Sequence, residues 1–410
     1  MAFSATRALG GHEDLRSAQP PYDGGRARIV TRTLDELLAG ALAARASDLH
    51  FEPDQSAGLV RRRVDGFLAE ATRLDLELFG QVVARLKLLS GMDIAERRRP
   101  QDGRYCLEVG SRTIDLRVSS MPTMLGERLA VRLLDLRGRV PELEELGMSH
   151  DALVAYRRML EAPSGFIAIV GPTGSGKTTT LYASLRGKSE RGMHVASVED
   201  PVEARIPGIA QVQVNARAGL TFASALRGFF RQDCNVMMIG ELRDAETSDI
   251  AISAALSGHL VLSTLHAGDA AGAVERLSEL GVRRTSLAAA LTGIVAQRLM
   301  RRLCMACRRP SGAEGDELTR HLQLEASTLY EPGGCAACAG TGYDGRVGIF
   351  EVVWASPMLC EAIAADASAS MMAGHARSQA GSLLTCALER VACGETSLGE
   401  LRRVVGDPRR

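Results

Sequence analysis

Gly171-Pro172-Thr173-Gly174-Ser175-Gly176-Lys177-Thr178 reads as a phosphate-binding P-loop, and no other feature of this chain limits its possible folds so sharply. Phe166 to Val170 before it is an apolar run of strand length, and Thr178 to Leu185 after it has helix-forming composition. A strand, a glycine-rich turn and a helix in that order predict an α/β sheet with the loop at the carboxyl end of a strand. The glycines let consecutive backbone N–H groups turn toward the β- and γ-phosphates, and the helix N-terminus adds its positive dipole end. Lys177 supplies a point charge, and the Thr178 hydroxyl, followed by Thr179, is placed to ligate Mg²⁺. Residues 171–179 thus predict a bound nucleoside triphosphate, and with no Asn-Lys-x-Asp base-reading motif downstream the expectation is ATP rather than GTP.

A chain of 410 residues is too long for one core and predicts two or three domains. Lys plus Arg and Asp plus Glu both total 49, so no global basic field exists to hold nucleic acid by counterion release, and no nucleic-acid partner is expected. No apolar run reaches the ~20 residues that span a bilayer, and the N-terminus lacks the order of a signal peptide. The expectation is a cytoplasmic protein with no direct membrane insertion. Residues 1–28, broken by Pro20-Pro21 and Gly24-Gly25, read as a disordered tail. An α+β domain is expected over 29–137, a linker over 138–149, an ATPase core over 150–302, a cysteine module over 303–345 and a helical region over 346–410.

Polar residues just after the strands of a parallel sheet meet the ligand. Glu199 and Asp200 follow a strand-like run from His194 and can aim carboxylates at a Mg²⁺ water shell. Glu241 follows Val236 to Ile239 in the manner of a Walker B strand; without an Asp before it, it fits the polarising of an attacking water better than direct metal binding. His259 and His266 bracket a third strand, and the pattern alone assigns them no role, since strand-end histidines are commonly structural.

Together these segments resemble the secretion ATPase superfamily of type II secretion and type IV pilus assembly. Ala46 to Pro53, Met92 to Glu96, Pro100 to Arg104 and Arg117 to Pro122 resemble its second N-terminal domain. Val198 to Glu203 resembles its Asp box, Met238 to Asp244 its Walker B, and Ser257 to His266 its His box, so the likeness runs from about Thr33 to Val405. The resemblance implies a RecA-like motor domain behind a smaller PAS-like α+β domain, a homo-hexamer, and work on inner-membrane platform proteins from the cytoplasmic face. It implies Glu241 as general base, Glu199 and Asp200 as supports of Mg²⁺ and water, His259 and His266 as γ-phosphate sensors, and Arg117 and Arg132 as arginine fingers. Alternation agrees on the last point: Ile114, Leu116 and Val118 share one strand face, and Arg117 takes the other, as Arg132 does opposite Leu129, Val131 and Leu133.

The chain departs from the family at Arg231-Gln232-Asp233-Cys234-Asn235, where Pro-Asp usually precedes Walker B. The short tail before residue 29 does not resemble the family's first N-terminal domain, which docks an inner-membrane partner, so that contact is not expected to carry over directly. Cys304-x₂-Cys307 and Cys335-x₂-Cys338 form two knuckles suited to a structural Zn²⁺ held by four thiolates, and no thioredoxin-like βαβ pattern supports a redox reading. The tetracysteine module belongs to the secretion and assembly branches, and secretion is the expected one, with pilus assembly the alternative. A nucleic-acid translocase on the same core and an inactive nucleotide-binding regulator are the competing classes.

Overall fold

The computed structural model describes residues 24–110, 112–135, 139–311 and 329–406. The chain forms two compact units, Met1–Arg139 with Glu203–Arg205, and Val140–Val202 with Ile206–Arg410.

In the first unit the order is α1 (Gly24–Ala43), β1 (Asp48–Pro53), β2 (Gly58–Val64), β3 (Phe67–Leu74), α2 (Leu76–Leu89), β4 (Gln101–Val109), β5 (Arg112–Thr123) and β6 (Gly126–Asp135). The strands make one antiparallel sheet in the order β3-β2-β1-β6-β5-β4. Leu34, Leu38 and Ala41 of α1 and Phe79, Val82, Val83 and Leu86 of α2 fall at helical spacing and are buried with Leu49 and Phe51 of β1. Ile114, Leu116 and Val118 of β5 and Leu129, Val131 and Leu133 of β6 alternate into the same core. Asp75 starts α2 by accepting from the Leu78 N–H. Helix α1 begins at Gly24, so the expected border at residue 28 falls inside it; residues 1–23 of the expected tail lie outside the described residues.

In the second unit, a 3₁₀ turn (Leu143–Leu146) and α3 (His150–Leu160) precede the sheet, which puts most of the segment read as linker inside the unit. There follow β7 (Gly165–Val170), α4 (Lys177–Ser189), β8 (Val195–Glu199), β9 (Ile209–Gln213), α5 (Phe222–Phe229), β10 (Val236–Ile239), α6 (Ala245–Leu256), β11 (Leu260–Leu265), α7 (Ala270–Glu279), α8 (Arg284–Ala290) and β12 (Leu291–Leu303). A short pair, β13 (Arg309–Pro310) and β14 (Tyr330–Glu331), leads to β15 (Tyr343–Trp354) and then α9 (Pro357–Ala364), α10 (Ala369–Ala380), α11 (Leu383–Ala392) and α12 (Leu398–Val405). The main sheet has the order β15-β12-β7-β11-β10-β8-β9, with every pair parallel except β15 against β12. Every residue of β7, β10 and β11 is buried, which is why these strands read as unbroken apolar runs.

One expectation is corrected here. Residues 346–354 belong to a strand of the main sheet, not to a helical region, which starts only at Pro357. Val347 to Val353 is covered on both faces, and a short run buried that way carries no period to separate strand from helix.

Candidate functional site

The P-loop joins β7 to α4 at the carboxyl end of the sheet. Gly174 (φ 79°) and Gly176 (φ 87°) take left-handed conformations that the turn requires. Gly176 is also the N-cap of α4 and offers no capping side chain, whereas α3, α5, α6 and α7 are capped by Ser149, Thr221, Asp244 and Asp269. The first N–H groups of α4 are thereby left for an anion. Pro172, Thr173, Gly174 and Thr179 are exposed, Thr178 is half-buried, and Gly171, Ser175 and Lys177 are buried. The Lys177 ammonium donates to the carbonyls of Gly171 (2.8 Å) and Pro172 (3.0 Å), so it lies across the mouth of the loop. The Ser175 hydroxyl is buried without a hydrogen-bond partner, a polar atom at the loop that suits an anion in its reach. The loop therefore fits a nucleotide's phosphates on its own geometry.

Strands β10 and β11 end in register, with Ile239 opposite Ser263. The hydroxyls of Ser263 and Thr264 donate to the carbonyls of Ile239 (2.9 Å) and Gly240 (2.6 Å), and these bonds bring Glu241 beside His266. Glu241 forms an ion pair with Arg243, its second oxygen lies 3.9 Å from His266 Nε2, and Arg243 is 3.9 Å from Asp200. The pKa of His266 is lowered, first by burial and next by the Lys177 charge, so the ring is neutral at physiological pH. Lys177, Asp200, Glu241 and His266 thus gather at one end of the sheet, joined by Arg243, which the sequence reading did not single out.

One expected member stands elsewhere. His259 sits at the start of β11, where its carbonyl accepts from Gly165 N–H at the start of β7. Its Nδ1 lies 3.2 Å from the Ala254 carbonyl and its ring meets Phe230 edge-on at 5.5 Å. The six residues of β11 separate it from His266, roughly 20 Å at strand rise, so it is not at the phosphate end. Glu199 ends β8 at the same end of the sheet as the P-loop and is buried there. The Tyr182 hydroxyl of α4, the Ser197 hydroxyl (2.6 Å) and the Gln211 amide (3.2 Å) all donate to its carboxylate, which ties α4, β8 and β9 together.

In the first unit Arg117 and Arg132 are register partners on neighbouring strands, facing away from the core as alternation predicts. Arg104 is opposite Arg117, and Asp48 is opposite both Arg132 and Arg63. One row of the sheet therefore reads Arg63, Asp48, Arg132, Arg117, Arg104. Asp48 lies 3.3 Å from Arg132 and 3.6 Å from Arg63, and Asp115 lies 3.5 Å from Arg117. Arg132 is well exposed and Arg117 largely covered. Arg104 was legible only from strand register.

The sulfurs of Cys304, Cys307, Cys335 and Cys338 lie within 4.8 Å of one another. Three of their separations are 3.8–3.9 Å. A tetrahedron with Zn–S bonds of about 2.3 Å has edges of about 3.8 Å, so the cage has zinc's dimensions. Burial opposes a charge on Cys338, but amide donors from Cys335 and Gly342 and the neighbouring thiols outweigh it and draw its pKa down to about 6; at Cys304 an amide donor from Ala306 is outweighed by burial and the same thiols, which push it up to about 11, so the cluster gathers its first negative charge on Cys338.

The family described as type II/IV secretion system protein matches residues 25–403. The chain belongs to that family. It is 40% identical over 404 residues to the type II secretion system ATPase E of Vibrio cholerae, covering 98% of this chain and 79% of that one. It is 42% identical over 378 residues to a type II secretion system protein E of Pseudomonas aeruginosa, covering 92% and 75%. The type IV pilus assembly ATPase PilB of Acinetobacter baylyi is 41% identical over 386 residues, covering 92% and 66%. Among solved structures, the ATPase DotB of Legionella pneumophila superposes with a TM-score of 0.67 at 20% identity, covering 94% and 97%, and the retraction motor PilT with bound ADP gives 0.61 at 23%, covering 90% and 95%. The fold is that of a P-loop ATPase, and with these relatives the chain is a secretion-type ATPase.

Proposed function

We propose that this chain is an ATP-hydrolysing motor of type II secretion that works as a homo-hexamer on inner-membrane platform proteins, peripheral on the cytoplasmic face. The observation that carries the reading is the convergence of Lys177, Glu241, His266 and Asp200 at the carboxyl ends of β7, β8, β10 and β11. Lys177 exchanges its two loop carbonyls for phosphate oxygens. Glu241 accepts a proton from the attacking water, and Arg243 gives up one carboxylate oxygen for that step. Neutral His266 offers a hydrogen bond near the γ-phosphate, and Glu199 acts as an anchor for α4. Thr178 would hold Mg²⁺, with Asp200 as a further support, and the ion would supply positive charge to the phosphates. Arg117 and Arg132 supply charge to the γ-phosphate of another subunit, and the four cysteines would hold Zn²⁺ as a structural ion.

Pilus assembly is the second reading, favoured by the similarity to PilB. Phosphate release from MgATP tests the site: Lys177→Ala should lose nucleotide binding, and Glu241→Gln should bind nucleotide but turn over about 10²–10⁴-fold more slowly. Full activity in either variant would end this assignment. Deleting the gene and scoring extracellular enzymes against surface pili decides between the two systems.

A further inference from the structure

Strand β12 sets Gln297 directly behind the P-loop. Its side chain belongs to a residue only 1% exposed, in a strand otherwise apolar over Ile294 to Ala296. The amide Nε2 donates to the Ser175 carbonyl at 2.7 Å, and Oε1 accepts from the Thr180 hydroxyl at 2.8 Å. These two bonds define the amide's orientation, because a flipped carboxamide would set its oxygen against the Ser175 carbonyl.

The Ser175 carbonyl and the Gly176 N–H belong to one planar trans peptide and so point in opposite directions. Drawing the carbonyl back onto Gln297 turns the Gly176 N–H away from β12, toward the side on which a P-loop receives phosphate. The contact is close: a Cβ at Gly176 would lie 3.2 Å from Gln297 Nε2, and one at Gly171 would lie 2.5 Å from the Gln297 carbonyl. The next residue extends the grip, since Arg298 Nη2 donates to the Gly268 carbonyl at 2.6 Å in the loop that follows His266.

We propose that Gln297 is a positioning residue for nucleotide binding, holding the 175–176 peptide so that its N–H faces the phosphates; this rests on the reading of residues 171–178 as the phosphate loop. The same buried chain of bonds supplies its own control. The Ser184 hydroxyl donates to the Thr180 carbonyl at 2.7 Å and lies 2.6 Å from the Tyr156 hydroxyl, well behind the peptide in question. Tyr156→Phe therefore weakens the same core without freeing the Ser175 carbonyl.

The test measures, on the full chain, the affinity for a fluorescent ADP analogue with Mg²⁺, the KM and kcat for MgATP, and the thermal midpoint. Gln297→Met, which keeps the shape and loses both bonds, should bind about tenfold more weakly, with KM rising more than kcat falls. Gln297→Leu also loses both bonds in a smaller volume, so it should lose as much, and it carries the test if methionine prevents folding. Tyr156→Phe should lower the thermal midpoint and bind as the parent does. Should Lys177→Ala lose binding while Gln297→Met retains it, the positioning role is wrong and the phosphate loop stands. Equal binding by Lys177→Ala and the parent would remove both. A loss of affinity in Tyr156→Phe matching that of Gln297→Met would reduce Gln297 to a core residue.

Discussion

Glu400→Gln should loosen the end of the second unit far more than an isosteric change usually does. Glu400 is 1% exposed and accepts five hydrogen bonds: from the Arg301 N–H (2.8 Å), from Arg301 Nε and Nη2 (3.1 and 2.9 Å), and from Arg403 Nε and Nη2 (2.8 and 2.6 Å). The amide keeps one acceptor oxygen, turns an NH₂ toward the donors and leaves two guanidinium groups facing each other across β12 and α12. Breaking a buried pair by removing one partner costs about 3–5 kcal/mol. The Arg403 side chain is 45% exposed, so water recovers part of that and the low end, about 3 kcal/mol, applies. For a unit of this size that corresponds to roughly 6–12 °C in the unfolding midpoint. The pH dependence sharpens the test. Burial pushes the Glu400 carboxyl up, but the bonds from Arg403 and Arg301 outweigh it and hold its pKa below the ordinary value. A carboxyl depressed in the fold gives its full stabilisation above the unfolded pKa and loses it as pH falls through the folded one. The gap between parent and variant, followed by calorimetry, should be constant near neutrality and close below the ordinary carboxylate range. A gap under about 2 °C at pH 7, or one unchanged in acid, would refute the reasoning.

Two further outcomes are expected. The purified chain should carry equimolar zinc by elemental analysis, and chelation or Cys307→Ser should lower the thermal midpoint and expose the cysteine module to protease, because metal binding is coupled to local folding. Arg132→Ala should bind nucleotide normally but hydrolyse it about 10³-fold more slowly, and mixing it with Glu241→Gln should restore part of the activity if the arginine serves a neighbouring subunit.

The parts of the site that could be read in the sequence are those fixed by backbone: the P-loop, and the strand ends at Glu241 and His266. Doubly buried strands leave an unmistakable apolar run, and their carboxyl ends are where chemistry collects. The role of His259 came from the family resemblance alone, and the carboxyl-end rule sets it at the far end of β11 from the phosphate loop. The partners of Glu199 were not legible, since the acid that ends a strand takes its bonds from neighbours such as Tyr182 and Gln211, which are distant in sequence. Gln297 did leave a trace, a polar residue inside an apolar strand, which burial makes costly unless it is bonded. Which groups it bonds depends on β12 lying beside β7, and that is a fact of topology. The strand at 346–354 left no period because its run from Val347 to Val353 is covered on both faces.

Strand β12 ends at Leu303, and Cys304 is the next residue. The chain from Gln297 to Cys304 is therefore a ruler with one mark at the phosphate loop, one at the Arg301 anchor and one at the metal cage. Side chains alternate with a period of two, and the strand already spends an irregularity between Arg301 and Leu303. Adding or deleting one residue would turn Cys304, or Gln297, to the wrong face. The 27 residues between the two cysteine pairs are under no such restriction, because closing a longer loop costs little more. Length variation among related chains should accordingly collect between Cys307 and Cys335 and be missing from 297–304, so that the metal module drifts in size while its distance from the nucleotide stays fixed.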